Sequence, residues 1–254
     1  MNFQEYLDDR DRVPLLEGID INPITRTVSF TDEHEHYVDT SLNNNPTVDM
    51  RTISIFKRKP SASGDNISDG NPLVYALKDL NGWRISDMDR SKILKRVELI
   101  LDKLTNSFDI IILAPSTNSL VEVFGGVIKK RFPNATVLNR CLVKRTKEEV
   151  YEAMSPWVEF SEDEIEEINI AFDSMEHWFE AKKLKKSILN EIDINIVKYN
   201  PLFKDGSIIS NSNVLIVDDV ISTGISMGSC ARVISENYSP NSITNLVMFS
   251  LIQK

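Results

Sequence analysis

The chain reads as an α/β protein built on a mostly parallel, twisted sheet flanked by helices. Three observations predict this. Two short, mostly apolar runs, Phe108–Leu113 and Val214–Val217, have the pattern of strands buried on both faces. Each leads through a turn rich in hydroxyls or glycine into a stretch with apolar residues at helical spacing. The alternation runs on to a final strand, Ser242–Ile252, as parallel crossovers require.

Composition sets the outer bounds. A chain of 254 residues suits one large domain, or one domain with a substantial appendage. At 41% hydrophobic and 26% charged residues it can bury a sizeable core. No run approaches the roughly 20 apolar residues of a membrane span. Met1–Asp11 is polar and acidic, unlike a signal peptide. The two cysteines, Cys141 and Cys230, lack paired spacing, which excludes a zinc ribbon and argues against a disulfide framework. A reducing cytoplasm is the expected setting. The net charge of −9 argues against nucleic acid as the main partner. An anionic substrate would therefore need a locally positive pocket or bound Mg²⁺.

Residues 1–22 read as a polar arm. Thr25–Phe30 and Thr52–Lys57 are extended, separated by the Asn/Asp/Pro-rich stretch Asn43–Asp49. His34 and His36 lie between them without a third ligand at useful spacing, and fit an exposed hairpin tip. Ser61–Asn71 is a loop and marks a boundary. The expected organisation is a β-containing appendage over 1–70, acting as a hood or dimer element, and a core over 71–254. Residues 73–80 suit either strand or helix, ending in the Asn81-Gly82 turn. Ser86 with Asp89 is a capping-box variant, opening a helix with Ile93, Val97, Ile100, Leu101 and Leu104 on one face.

Strand Phe108–Leu113, turn Ala114–Ser119 and helix Leu120–Arg131 follow, the helix carrying Gly125-Gly126 for close packing. Thr136–Val143 is the next strand. A helical insertion over about 146–200 interrupts the order. There Ser161 and Glu164 form a second capping box, opening a helix of about 30 residues, acidic at its start and basic at its far end. Ile165, Ile168, Phe172, Met175 and Phe179 form a narrow seam. It suits equally the chain's own core or a homodimer contact.

Residues 214–226 carry the most chemistry. Four apolar residues, the pair Asp218-Asp219, two aliphatics, then Ser222, Thr223 and Gly224, Ile225 and Ser226 lead into a helix to about Tyr238. The turn's N–H groups and hydroxyls can hold a phosphate at the positive helix end. The acids can accept hydrogen bonds from vicinal ribose hydroxyls. This stretch resembles the ribose-5-phosphate signature of type I phosphoribosyltransferases, and it fits at all thirteen positions. Pro72–Lys78 and Leu142–Thr146 make the chain most similar to the ComF-like branch, but without that branch's zinc-binding N-terminus.

The resemblance implies a type I phosphoribosyltransferase-like fold and 5-phosphoribosyl-1-pyrophosphate as donor, with Mg²⁺ bridging pyrophosphate and ribose hydroxyls. Asp218 and Asp219 would orient the ribose and meet the metal mainly through hydroxyls or water. Ser222, Thr223, Gly224, Ile225 and Ser226 would hold the 5′-phosphate. Ser116, Thr117, Asn118 and Ser119 would take the pyrophosphate, with Lys144 and Arg145 stabilising its departure. The implied activity is transfer to a nitrogenous acceptor, a nucleobase or modified base. A non-catalytic regulatory or assembly protein binding the same donor or a nucleotide is the alternative.

Overall fold

The computed structural model describes residues 19–22, 24–30, 38–41, 51–58, 72–102, 104, 106–116, 119–154, 160–191, 195–204, 206–221 and 224–251. Of the expected arm over 1–22, residues 1–18 lie outside them and Ile19–Asn22 form a strand; His34, His36 and the Ser61–Asn71 loop also lie outside. Strands β1 (Ile19–Asn22) and β2 (Thr27–Phe30) form a hairpin. Next come β3 (Val38–Ser41), β4 (Arg51–Arg58), helix α1 (Pro72–Leu77), β5 (Arg84–Ile85) and α2 (Asp87–Asp102). Then follow β6 (Ile110–Leu113), α3 (Leu120–Arg131), β7 (Thr136–Leu138) and β8 (Leu142–Lys144). The middle of the chain holds α4 (Lys147–Ala153), α5 (Glu162–Ser174), a 3₁₀ turn (Ala181–Lys183), α6 (Lys186–Glu191) and β9 (Val197–Tyr199). The chain continues through β10 (Asn213–Ile221), α7 (Ile225–Asn237) and β11 (Ser242–Leu251).

The central sheet has the order β3-β4-β11-β10-β6-β7. Five neighbours run parallel, and β3 is an antiparallel edge. The expected α/β class with a mostly parallel sheet is the one observed. β3 and β4 precede residue 70, yet β4 pairs along β11 from Arg51 opposite Thr244 to Arg58 opposite Leu251. Among the described residues, no helix is long and apolar enough to cross a membrane.

Strand alternation sorts the aliphatic runs onto two faces. Ile111, Leu113, Leu215, Val217 and Leu246 pack with α1, α2 and α3. Ile110, Ile112, Val214, Ile216 and Val247 pack with α5, α6 and α7. Gly125 lets α3 approach β6, because a Cβ there would meet Leu113 Cδ2 at 2.6 Å. Gly126 has open space around it.

The ambiguous segment 73–80 is helical over its first part. Pro72 suits the first helical position, and Leu73, Val74, Ala76 and Leu77 are buried. The helix stops where Asp79, Asn81 and Gly82 take positive φ. At the start of α2, Ser86 Oγ accepts from Asp89 N at 3.1 Å and donates to Asp89 Oδ2 at 2.6 Å. Asp89 Oδ1 accepts from Phe30 N at 3.1 Å, which ties α2 to β2. Burial alone would raise the Asp89 carboxyl, but these bonds and Lys92 hold it below its ordinary value.

Two expectations are corrected. Thr136–Val143 is not one strand. β7 pairs with β6, the chain turns at Arg140 in the left-handed region (φ 64°), and β8 pairs antiparallel with β9 instead. The second capping box forms, with Ser161 N donating to Glu164 Oε2 at 2.9 Å, but its helix is 13 residues long rather than about 30. α5 ends because Met175 turns to extended backbone. Lys147 Nζ donates to Phe172 O at 3.2 Å and Met175 O at 2.8 Å, adding a side-chain donor at the carbonyl end of the helix. Ile168, Phe172, Met175 and Phe179 are buried in the chain's own core, while Ile165 is exposed.

Candidate functional site

The topology creates a crevice between β6 and β10. From β6 the chain passes through α3 to β7 on one side, and from β10 through α7 to β11 on the other. α3 and α7 lie on opposite faces of the sheet, so the two crossovers diverge. Such a switch point, at the carboxyl ends of parallel strands, is where doubly wound sheets leave room for ligands. Ala114 N donates to Val217 O at 2.8 Å, so the β6 turn lies beside the acid pair. A cavity of about 540 Å³ opens here, reached by Ser116, Lys144, Asp218, Asp219 and Ser226.

The two acids differ in their surroundings. By alternation Asp219 continues the face of Leu215 and Val217, where α1 packs, and Lys78 just after α1 forms an ion pair with its carboxylate. Asp218 continues the face of Val214 and Ile216. Its Oδ1 accepts from Asp219 N at 2.8 Å. Burial, and then the charge of Asp219, push the Asp218 carboxyl up to about 7. Lys78 and Lys144 oppose this only in part. The pair can therefore accept hydrogen bonds and is short of positive charge.

That deficit suits a divalent cation. Among the described residues no group of three or more His, Cys, Asp or Glu is gathered to hold a metal. A magnesium ion would thus need water or substrate oxygens to complete its shell, as it commonly does at phosphates.

After β10, Ser222 and Thr223 lie outside the described residues. Gly224 is buried with φ 82°, a left-handed conformation in which other residues are strained. It caps α7, and Gly228 N donates to its carbonyl at 2.8 Å. The first turn of α7, from Ile225 and Ser226, points donor N–H groups toward the crevice end of the sheet. In the β6 turn, Ser116 reaches the cavity, and Thr117 and Asn118 lie outside the described residues. Ser119 sits at the start of α3 without a side-chain capping bond.

Lys144 and Arg145 diverge. Lys144 faces the cavity, but Arg145 is not among its lining residues. The Arg145 backbone pairs with Ile196 and Phe179, and its Nε is buried without a hydrogen bond.

Sequence reasoning missed two contributors. Lys78 lay within a segment noted only for resemblance. Residues 176–180, read as helix interior, instead line the cavity as a non-helical strap carrying Glu176, His177, Trp178 and Glu180.

No protein-family model and no curated protein matches the chain. Among solved structures it is similar to a hypothetical protein from Neisseria gonorrhoeae with bound ppGpp, at 12% identity and TM-score 0.37, over 66% of this chain and 70% of that one. It is also similar to a hypoxanthine phosphoribosyltransferase from Staphylococcus aureus, at 14% identity and TM-score 0.34, over 66% and 76%. A third is adenine phosphoribosyltransferase from Leishmania tarentolae, at 11% identity and TM-score 0.35, over 91% and 94%. Likeness this distant says nothing about activity. The fold class rests on the strand order and the two-sided core.

Proposed function

We propose that the chain is a phosphoribosyltransferase that moves a ribosyl 5-phosphate from 5-phosphoribosyl-1-pyrophosphate to a nitrogenous acceptor, with Mg²⁺, releasing pyrophosphate. The observation that carries it is the acid pair at the carboxyl end of β10, beside left-handed Gly224 and the start of α7, at the switch-point cavity. A phosphorylated pentose has the complementary chemistry: vicinal hydroxyls to donate to carboxylates, and a phosphate to accept from a helix N-terminus.

In this reading Asp218 and Asp219 accept from the ribose hydroxyls and lie near the ring carbon that becomes electron-poor. Gly224, Ile225 and Ser226, with Ser222 and Thr223, hold the 5′-phosphate. Ser116 with Thr117, Asn118 and Ser119 receives the pyrophosphate, and Lys144 offsets its growing negative charge. Bound Mg²⁺ would supply charge neutralisation between pyrophosphate and the hydroxyls. The acceptor nitrogen's lone pair forms the new bond to the anomeric carbon, and an N–H acceptor releases its proton to solvent. The old carbon–oxygen bond breaks, and pyrophosphate leaves with its electrons. Arg145 has a lesser part, since it is not among the residues that line the cavity.

The test is pyrophosphate release from the donor, Mg²⁺ and a panel of bases. Turnover by the wild type, and its loss in the Asp218→Asn, Asp219→Asn double variant with an unchanged circular-dichroism spectrum, is the expected result. Donor binding without release under every acceptor would replace the enzyme with a binding protein. Undiminished release by the double variant would contradict the assigned roles.

A further inference from the structure

We propose that the strap over residues 176–180 is the acceptor pocket of this site, and that its acceptor is a neutral, planar nitrogen heterocycle with N–H donors. The inference rests on the phosphoribosyl-transfer reading above.

The strap is a non-helical segment pinned at both ends. Met175 and Phe179 are buried at 2% and 3% exposure, and Phe179 packs against Phe172 with ring centroids 5.6 Å apart. Between these anchors Lys147 N donates to His177 O at 3.0 Å, and Phe179 N donates to Arg145 O at 3.2 Å. Thr146 and Trp178 form a bridge with antiparallel geometry. A backbone tied on this scale presents its side chains in fixed positions.

What it presents is unusual. Trp178 is 42% exposed although its neighbours on either anchor are buried. Indole carries a large apolar face and ordinarily finds cover. Here it stands on the wall of the 540 Å³ cavity and also of an adjoining cavity of about 250 Å³. His177 braces it edge-on at 4.4 Å. An aromatic face already held in place stacks on a planar ring without a further ordering cost. Glu176 and Glu180 line the same wall, with Glu180 ion-paired to Lys183 at 3.3 Å. Carboxylates accept only, so they select ring and exocyclic N–H groups and repel a heterocycle that carries its own carboxylate. Of the nearby cations, Lys78 is paired with Asp219, and Lys144 lines both cavities on the side of the β6 turn. The cavity's volume suits a sugar phosphate together with a base.

Calorimetry on the full chain separates the base contribution from that of the pentose. The probes are ribose 5-phosphate, adenosine, inosine, cytidine and orotidine 5′-monophosphates. At least one of the three neutral-base nucleotides should bind about 10-fold tighter than ribose 5-phosphate, the size of one base stacked on one aromatic. Orotidine monophosphate should gain nothing until Glu176→Gln and Glu180→Gln are combined. Trp178→Ala should erase the gain and leave ribose 5-phosphate affinity unchanged, while Trp178→Phe keeps most of it.

A gain that survives Trp178→Ala, or no gain in the wild type, overturns the strap's role. So does an equal gain for orotidine monophosphate. If ribose 5-phosphate binds and no base adds affinity, the strap assignment falls and the transfer reading stands. If a nucleotide binds through Trp178 while ribose 5-phosphate does not bind, the reverse holds. Binding by none of them removes both.

Discussion

Asp218 is held near neutrality by two costs that come from its position, burial and the adjacent charge of Asp219. Its folded carboxyl titrates at about 7 against an ordinary value of 3.8, so the folded state binds the proton more tightly than the unfolded chain. The contribution of Asp218 to stability is therefore full below pH 4, falls as pH rises between about 4 and 7, and stays reduced above. Asp218→Asn removes that cost. Thermal unfolding at pH 8 should shift upward by about 2–4 °C for each kcal/mol relieved, and the advantage should vanish near pH 4. The same variant loses turnover, as residues kept for function at the expense of stability do. Lys78 lowers the Asp218 carboxyl, so Lys78→Met should move its titration upward, readable by carboxyl-carbon NMR. A downward shift would contradict the arrangement. The acid pair was legible in the sequence because its members are adjacent and follow an apolar run. Lys78 was not, because only the packing of α1 against the sheet brings it to Asp219.

Elements differ in how far local pattern decides them. β6, α3, β10, α7 and β11 follow from hydrophobic periodicity alone, since each buries the face its spacing defines. The break in α5 does not. Its apolar spacing runs correctly through Met175, and Phe179 then keeps the rhythm although it arrives on a non-helical strap. The end of the helix at Met175 is held by Lys147, from an element that precedes α5 in sequence. Arg140 likewise ends β7 through a turn secured by Asn200, which donates to Arg140 O at 2.8 Å. Both breaks depend on distant partners and leave no local mark. Two substitutions test the α3–β6 contact. Gly125→Val should cost about 1–3 kcal/mol by overpacking against Leu113. Gly126→Ala, with open space, should gain up to about 1 kcal/mol from helix propensity. Urea unfolding of the two variants measures both, and equal effects would place the contact elsewhere. At α2, Asp89→Ala should cost about 1–3 kcal/mol through the lost Phe30 and Ser86 bonds. That deficit should shrink as pH falls through the carboxylate range, because the native Asp89 then loses its charge too.

At the scale of the whole molecule, divergent crossovers from two adjacent parallel strands open a gap at one end of the sheet, and the acid pair, the β6 turn, α7 and the strap border it. The class of fold was readable from alternation of element types. The order of strands was not, and the place of β3 and β4 in the central sheet depends on pairings nearly 200 residues apart in sequence. The claim on which the functional account turns is that this gap holds a phosphorylated pentose. Titration calorimetry of the wild-type chain with 5-phosphoribosyl-1-pyrophosphate and Mg²⁺ at pH 7 tests it most directly. Saturable heat whose size changes with the buffer's ionisation enthalpy, as Asp218 releases its proton to the buffer on binding of the donor and Mg²⁺, is the predicted result. Absence of saturable heat, or identical heat and affinity from the Asp218→Asn, Asp219→Asn variant, would contradict it.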